Sequence, residues 1–276
     1  MNTPIQIPGP LWLIGCGNMA GAMLDGWLAA GLDPAQVTVI RPSGRQPAPG
    51  IRTVTVLPED EVPALLMLGV KPQKLDEIAP GIAPVLERET ILISILAGVE
   101  LAALRSRFPG PRAIVKAMPN LPVGINKGVV ELHTDTGDAK ARADVEQLMS
   151  ALGQALWFED EAYFGLASNL TAAAPAFLYR FLDALAAASA ELGLPPAQAS
   201  RLAALMAEGA AALAATSDET PAQLARRVAS PGGTTEAGLN VLDAEDGLRA
   251  LILRTLEASR RRGQEMAEAA RASPKL

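Results

Sequence analysis

The pattern of hydrophobic and polar residues divides the chain into two parts that meet near residue 160. In the first part, short runs rich in Val, Ile and Leu alternate with stretches of helical spacing. The runs predict strands at residues 11–15, 37–41, 53–57, 65–70, 90–95, 113–117, 128–132 and 155–158. The stretches predict helices near residues 18–30, 73–86, 100–107 and 138–151. This alternation is typical of an α/β Rossmann domain with a mostly parallel, doubly wound sheet.

The second part is predicted to be entirely helical. Residues 175–193, 196–216 and 246–271 are rich in Ala and Leu, and their apolar positions follow helical spacing. Gly and Pro residues at 193–196 and 231–233 separate the helices. A thin helical half of this kind often needs a partner surface, so we expect an all-α dimerisation domain. Packing on the first domain alone is the alternative.

Composition restricts the chemistry. Among the 276 residues there are one cysteine and one histidine, which excludes a disulfide framework, a cysteine zinc cluster and a multi-histidine metal site. The net charge of −6 and the aromatic content of 4% are unlike those of a general nucleic-acid-binding protein. No metal is predicted, and we expect the reactive chemistry to come from a bound cofactor.

Two uncharged stretches are candidates for membrane segments, and both fit poorly. The first 24 residues have no basic start and carry prolines at positions 4, 8 and 10, unlike a signal peptide. Residues 162–179 contain Ser168, Asn169 and Pro175, which disfavour a membrane-spanning helix. We therefore predict a soluble, cytoplasmic protein that binds neither nucleic acid nor membrane.

A glycine-rich turn follows the first predicted strand, in the pattern G-x-G-x-x-A. Gly15 permits a tight turn, Gly17 permits a pyrophosphate to approach the backbone, and Ala20 permits close packing of helix on strand. The start of the following helix adds free N–H groups and partial positive charge. The turn therefore predicts a dinucleotide site that includes Gly15, Gly17, Asn18, Met19 and Ala20.

The end of the second predicted strand indicates which nucleotide is bound. An acidic residue there would bind the ribose 2′-hydroxyl of NAD. Instead the chain has Arg41, Ser43 and Arg45, whose guanidinium and hydroxyl groups suit a 2′-phosphate. We therefore predict NADPH and retain NADH as a second candidate. A solvated loop with incidental arginines is the alternative interpretation.

Four further segments carry a family resemblance. They are Val70-Lys71-Pro72-Gln73, Met118-Pro119-Asn120-Leu121-Pro122, Pro175-Ala176-Phe177 and Ser230-Pro231-Gly232-Gly233-Thr234-Thr235. With the glycine turn, and in this order and spacing, the chain resembles the pyrroline-5-carboxylate reductase family over nearly its whole length. The resemblance implies NAD(P)H-dependent reduction of 1-pyrroline-5-carboxylate to L-proline, the last step of proline biosynthesis.

The resemblance also implies a domain plan and roles for residues. It implies a dinucleotide-binding Rossmann domain at 1–160 and a helical dimerisation and substrate-binding domain at 161–276, assembled as dimers or multiples of dimers. It implies that the cofactor is bordered by Val70, Lys71, Pro72, Ala97 and Asn120. Met118 would line the substrate site near the nicotinamide. The substrate carboxylate would be held by Ser230, Gly232, Gly233, Thr234 and Thr235.

Thr235 is the predicted catalytic residue, because the resemblance places its hydroxyl beside the imine nitrogen. The chemistry of the loop agrees with a carboxylate site, since its glycines and the start of a helix near Thr234 both offer backbone N–H groups. An ordinary helix cap after a loop is the alternative interpretation.

The chain departs from the family pattern in three places. Family members usually carry Ser-Gly-Ser-Gly before Pro175, whereas this chain has Thr171 followed by alanines at 172–174. Only Thr171 could replace a lost hydroxyl there. Lys116 and Leu121 stand where arginine and threonine are usual. A related reductase of another cyclic imine or imino acid is therefore one alternative. A non-catalytic NADP-binding sensor or scaffold is the other.

Overall fold

The computed structural model describes residues 5–272 of the chain. Within them, eight strands form one sheet: β1 (Leu11–Ile14), β2 (Val37–Ile40), β3 (Arg52–Val54), β4 (Leu65–Leu68), β5 (Ile91–Ser94), β6 (Ala113–Pro119), β7 (Gly128–His133) and β8 (Gly153–Trp157). The strand order is β3-β2-β1-β4-β5-β6-β7-β8, and neighbours are parallel except for the antiparallel pair β6 and β7. The predicted mostly parallel, doubly wound sheet is confirmed.

The helices are α1 (Asn18–Ala29), α2 (Leu75–Ile82), α3 (Leu101–Arg107), α4 (Ala139–Ser150), α5 (Glu161–Thr171), α6 (Ala174–Glu191), α7 (Pro196–Thr216), α8 (Pro221–Val228), α9 (Thr234–Leu242) and α10 (Leu248–Ala272). The described residues form two compact units. The first comprises residues 5–173 with residues 260–272, and the second comprises Ala174–Ser259. The prediction of a helical second half is confirmed.

The sheet of the first unit is covered on both faces. Every residue of β1, β2, β4 and β5 is buried, which is why these strands are continuous apolar runs. On one face, Leu13 packs in a cluster with Trp27 of α1 and Val145 of α4. On the other face, Trp12 packs in a cluster with Leu104 of α3. Because the strands of this region run parallel, their carboxyl ends lie along one edge of the sheet.

The largest shortenings relative to the prediction occur in two elements. The helix expected at 73–86 is helical only over Leu75–Ile82, with 3-10 turns at Pro72–Lys74 and Ala83–Val85. Pro80 lies inside α2 and removes one N–H from its hydrogen-bond ladder, so the α-helix is short. The strand expected at 53–57 ends at Val54.

Helices α5 and α8 were not predicted. The start of α8 carries a capping box between Thr220 and Gln223, with Pro221 in the first turn, and this signal is visible in the sequence. The start of α5 is capped by Asp160, whose carboxylate accepts a hydrogen bond from the Ala162 N–H at 2.6 Å. Apolar periodicity alone misses such helices, because their ends are defined by polar capping contacts.

The second unit has a small core. Helices α6 and α7 pack together around the buried residues Ala186, Ala199 and Ala203. Larger apolar side chains in this unit remain exposed, and they include Leu178, Phe181, Leu202, Leu205, Met206, Leu213, Leu251 and Leu253. An apolar surface of this extent is typical of a helical domain that associates with a partner.

Among the described residues, one helical stretch is long and apolar enough to cross a membrane, by length and composition only. Within Glu161–Glu191, a run of 18 residues has a mean hydropathy of 1.2, and 6% of that run is buried. The stretch is divided in the structure, because α5 ends at Thr171 and α6 begins at Ala174. Length and hydropathy of this kind also occur in helices of soluble proteins, so the finding is weak support for a membrane span.

Trp27 provides a test of the first core. Its side chain is fully buried, and its indole N–H donates to the Leu148 carbonyl at 2.8 Å. Trp27→Phe removes this donor and leaves a void, so we expect it to lower the free energy of unfolding by about 2–4 kcal/mol in urea unfolding.

The matched control is Trp157→Phe. The Trp157 side chain is only partly buried, and its indole N–H bonds to the exposed Glu146 carboxylate at 3.0 Å. We expect this variant to lower the free energy of unfolding by less than about 1 kcal/mol. Equal losses in the two variants would contradict the placement of Trp27 in the core.

Candidate cofactor and substrate sites

Gly15 holds the turn after β1 in a conformation that other residues rarely adopt. Its φ angle is 84°, and an added Cβ would lie 2.9 Å from Val70 Cγ1 and 3.0 Å from the Gly69 carbonyl oxygen. The Gly15 N–H donates to the Ile40 carbonyl of β2 at 2.8 Å. The turn therefore lies against the carboxyl ends of β2 and β4, where the strand order reverses on either side of β1. In open α/β sheets, this reversal point is where ligands bind.

The start of α1 fits a pyrophosphate group. Gly17 is the residue before the helix, and a Cβ built there would have no atom within 4 Å, so space remains beside the backbone. Within the described chain, no side chain caps this helix start, which leaves its N–H groups for an anion. Ala20 is buried, and a Cβ added at Gly69 would lie 2.9 Å from Ala20 Cβ. The close packing predicted at Ala20 is present, and the approach of a pyrophosphate to the backbone at Gly17 stays a prediction.

Cys16 lies in the same turn and is partly buried. Burial raises the pKa of its thiol, although the nearby Arg41 guanidinium acts in the opposite direction. A raised pKa keeps the thiol protonated and unreactive. Cys16 is therefore part of the turn's packing.

Arg41, Ser43 and Arg45 form a compact turn after β2. The Gly44 N–H donates to the Arg41 carbonyl at 3.1 Å, and the Arg45 N–H donates to Ser43 Oγ at 3.4 Å. Ser43 and Arg45 are exposed, and Arg41 is half-buried. Among the described residues, no carboxylate forms an ion pair with either arginine. Both guanidinium groups are therefore available to a phosphate.

The other predicted cofactor residues lie after the neighbouring strands. The Val70 side chain lies beside Gly15, and Lys71 and Pro72 begin the 3-10 turn that follows β4. Ala97 is exposed in the turn after β5. These positions lie at the same edge of the sheet as the glycine turn, because β1, β4 and β5 are parallel.

Asn120 is almost fully occupied by protein contacts. Its amide oxygen accepts from the Val129 N–H at 2.9 Å, and its Nδ2 donates to the Thr171 carbonyl at 3.3 Å. Met118, two residues earlier, is half-buried on β6. Asn120 therefore joins β6, β7 and the end of α5, a structural role that the sequence did not reveal.

The predicted substrate loop belongs to the second unit. Gly232 has a φ angle of 72°, the Gly233 N–H donates to the Ser230 carbonyl at 2.9 Å, and α9 begins at Thr234. The helix start expected near Thr234 is thus present, and Thr235 is exposed in its first turn.

Glu236 was not predicted as part of this loop. Its carboxylate accepts from the Gly232 N–H at 2.7 Å, and it occupies the third position of α9. An acidic residue at this position after a glycine turn is a recognisable capping signal. The Gly232 N–H therefore already binds a carboxylate, which is the group that the predicted substrate would present.

Buried polar residues lie on one face of β6 and β7, and the sequence did not predict their contacts. Lys116 Nζ donates to Glu161 Oε1 at 2.6 Å and lies 4.9 Å from the centre of the Phe164 ring. Burial opposes ionisation of Glu161, but the bonds from Lys116 and from the Leu101 N–H lower its pKa overall. The contacts hold the start of α5 on the sheet.

The single histidine, His133, belongs to this buried face. His133 is buried, and its Nδ1 lies 2.9 Å from the Phe158 carbonyl oxygen. Its ring packs against Phe164 with 5.9 Å between centroids. His133 is therefore a core residue at the end of β7.

Comparison with known proteins identifies the family. Residues 161–266 match the family described as pyrroline-5-carboxylate reductase dimerisation, and residues 11–98 match the family described as NADP oxidoreductase, coenzyme F420-dependent. The chain is 36% identical over 263 residues to a pyrroline-5-carboxylate reductase of Pseudomonas aeruginosa, covering 92% of this chain and 96% of that protein.

Solved structures agree with this match. A pyrroline-5-carboxylate reductase from Coxiella burnetii is similar with a TM-score of 0.84 and 28% identity, covering 94% of this chain and 98% of that one. The Plasmodium falciparum pyrroline carboxylate reductase with NADP bound has the same fold, with a TM-score of 0.83 and 22% identity, covering 96% of this chain and 100% of that one. The identity to the Pseudomonas relative over nearly the whole length shows that the chain belongs to the pyrroline-5-carboxylate reductase family.

Proposed function

We propose that this protein reduces 1-pyrroline-5-carboxylate to L-proline with NADPH. The observation that carries the proposal is the 36% identity, over 92% of the chain, to a protein named for this activity. The glycine turn supports the cofactor half of the reaction, and the loop Ser230–Thr235 supports the substrate half. Both are intact in the sequence and have the local geometry described above.

The cofactor half is assigned to the first unit. The N–H groups at the start of α1 would hold the pyrophosphate, with contacts from Gly15, Gly17, Asn18, Met19 and Ala20. Arg41, Ser43 and Arg45 would hold the 2′-phosphate and favour NADPH over NADH. When bound, NADPH supplies a hydride from nicotinamide C4 to the imine carbon. Val70, Lys71, Pro72, Ala97 and Asn120 would border it.

The substrate half is assigned to the loop before α9. The backbone N–H of Thr234 and the Ser230 hydroxyl would hold the substrate carboxylate. Gly232 and Gly233 would shape the loop around it, since their own N–H groups bond to Glu236 and to the Ser230 carbonyl. The Thr235 hydroxyl would accept a hydrogen bond from the protonated imine nitrogen, and Met118 would line the site. A protonated imine already carries the proton that proline retains on nitrogen. The protein therefore needs to orient the substrate rather than supply a strong acid.

We further propose that residues 161–276 form the dimerisation and substrate domain and residues 1–160 the dinucleotide domain. The description of the family matched by residues 161–266 and the exposed leucines of α6 and α7 support association of two copies. Apolar surface covered in this way would account for the hydropathy of Glu161–Glu191 in a soluble, cytoplasmic enzyme.

Reduction of a different cyclic imine or imino acid is the second candidate. The alanines at 172–174 favour it, because they replace the glycines and serines usual in the family and remove hydroxyl groups. The competing functions are separated by measuring NADPH oxidation with 1-pyrroline-5-carboxylate and, in parallel, with other cyclic imines. We expect 1-pyrroline-5-carboxylate to give the highest kcat/KM. A higher kcat/KM for another imine would assign that imine as the substrate. No NADPH oxidation with any imine would refute the proposed reductase activity.

The second prediction concerns Thr235. Thr235→Ala removes the hydrogen bond to a charged nitrogen, so we expect kcat/KM for the imine to fall by about 10–100-fold. The Kd for NADPH, measured by fluorescence, should stay within about threefold of wild type, since the cofactor phosphates are held elsewhere. Thr216→Ala, on the exposed end of α7, is the matched control. Wild-type turnover in Thr235→Ala would remove Thr235 from the mechanism.

The third prediction concerns cofactor choice. Replacing Arg41 and Arg45 together by Ala removes both guanidinium groups, so we expect the KM for NADPH to rise by about 10–100-fold while the KM for NADH changes little. The ratio of kcat/KM for the two cofactors is the measurement. Arg88→Ala, at an exposed position, is the control for loss of positive charge. An unchanged ratio would contradict the assignment of the 2′-phosphate site.

A further inference from the structure

We propose that Glu131 is a positioning residue for the reduction: it holds the end of α5 against the strand pair that carries Met118 and Asn120. The inference rests on the proposed function for its kinetic consequences. Its structural basis is a set of contacts within the first unit. None of these contacts belongs to the glycine turn or to the loop before α9.

Glu131 lies in the middle of a buried sheet face. Its side chain is 0% exposed, and in the antiparallel register of β6 and β7 it stands opposite Met118. Lys116 and His133 form the next pair along the same face. Helix α5 covers this part of β7. A carboxyl group at such a position needs partners from α5, because the strands around it use their backbone groups in the sheet.

Thr171, the last residue of α5, supplies the partner. Thr171 Oγ1 forms a hydrogen bond with Glu131 Oε1, and the Thr171 carbonyl accepts from Asn120 Nδ2 at 3.3 Å. Asn120 is itself fixed to Val129 of β7 by bonds in both directions, of 3.2 and 2.9 Å. Two buried side chains therefore hold one residue at the helix end, one from β7 and one from the end of β6.

The surroundings of Glu131 favour a neutral carboxylic acid. Among the described residues, its Oε2 atom has no hydrogen-bond partner, and no cation forms an ion pair with it. Lys116 of β6 is paired with Glu161 of α5, and His133 of β7 faces the Phe158 carbonyl. Burial raises the pKa of Glu131, and the bonds with Thr171 and its own backbone only partly oppose this.

A neutral Glu131 completes a chain of donors and acceptors. Thr171 Oγ1 is placed to donate to both Glu131 Oε1 and the Ala167 carbonyl, the latter at 3.2 Å, but a hydroxyl has a single proton. If Glu131 is protonated, its acidic proton can be donated to Thr171 Oγ1, and the Thr171 hydroxyl then donates to the Ala167 carbonyl. An ionised Glu131 would need the same hydroxyl proton for itself. The neutral form therefore satisfies both helix contacts at once.

These contacts give Thr171 a definite role. Thr171 carries the hydroxyl of the stretch 171–174, since the residues after it are alanines. That hydroxyl forms a hydrogen bond with Glu131 inside the first unit. Loss of the contact would free the last turn of α5 and weaken the bond from Asn120 Nδ2 to the Thr171 carbonyl. Asn120 and Met118 belong to the segment that the proposed function places beside the nicotinamide. The rate of hydride transfer depends on distances at that point, whereas NADPH affinity depends mainly on the phosphate contacts.

The kinetic test compares matched variants of the full-length protein. We expect Glu131→Ala and Thr171→Val to lower kcat with 1-pyrroline-5-carboxylate by about tenfold, with the KM for NADPH within about threefold of wild type. Glu131→Gln and Thr171→Ser keep a neutral donor and a hydroxyl, so they should restore most of the kcat. Glu87→Gln, at an exposed carboxylate, is the control. Wild-type kcat in the Ala and Val variants would overturn the proposal.

A stability measurement tests Glu131 without any turnover. Because burial raises its pKa in the folded protein, the neutral acid stabilises the fold fully below the ordinary carboxyl pKa. That stabilisation is lost as pH rises through the raised value. Relative to Glu131→Gln, the Tm of wild type should therefore fall by at least about 2 °C between about pH 5 and pH 8. A constant difference would overturn the neutral-acid arrangement.

The kinetic test and the stability test together distinguish a failure of the proposed function from a failure of the positioning role. A wild-type protein that reduces no imine refutes the proposed function, while the pH dependence of Tm still reports on Glu131. A wild-type protein that reduces the imine, with variants that match it, refutes the positioning role alone. If Glu131→Ala does not fold, the pair Thr171→Val and Thr171→Ser decides the kinetic question.

Discussion

Burial of a parallel sheet on both faces is the constraint on which the first unit depends. Helices must cover both sides, so the chain returns repeatedly over the sheet, and the parallel strands β1–β6 all end at one edge. Space at that edge is limited, since the turn after β1 lies against the ends of β2 and β4. Only a glycine fits at Gly15, where a side chain would meet Val70 and the backbone of Gly69. The same crowding directs the start of α1, with its free N–H groups, toward the open space beside Gly17.

Polar groups inside that packing have a second effect. Lys116 and Glu131 lie on a face where an unpaired charge would be costly, and α5 supplies Glu161 and Thr171 as their partners. Both ends of α5 are thus attached to the sheet by side chains. Because Asn120 also bonds to Thr171, the last turn of α5 is connected to the segment that follows β6. The helix that leads out of the first unit is therefore held by electrostatics as well as by apolar contact.

The second unit follows a different logic. Small residues such as Ala186, Ala199 and Ala203 allow α6 and α7 to approach closely, but they bury little apolar area. The larger leucine side chains remain exposed to solvent. Their burial would stabilise the unit only if another surface covered them. The need for another surface agrees with three observations: the weak internal core, the exposed apolar side chains of α6 and α7, and the match to a family described as a dimerisation domain.

The sequence by itself determined the features that depend on local physics. Apolar periodicity gave the strands and long helices, the glycine spacing gave the turn after β1, and the run before Thr234 gave the start of α9. The sequence also contained the capping signals of α8 and Glu236. Only the tertiary structure decided the partners of Glu131, Asn120 and Lys116. Glu131 meets Thr171 from 40 positions away, and no local pattern specifies which buried groups a fold brings together. Their pairing is set by strand register and by the path of α5, which exist only once the sheet has formed.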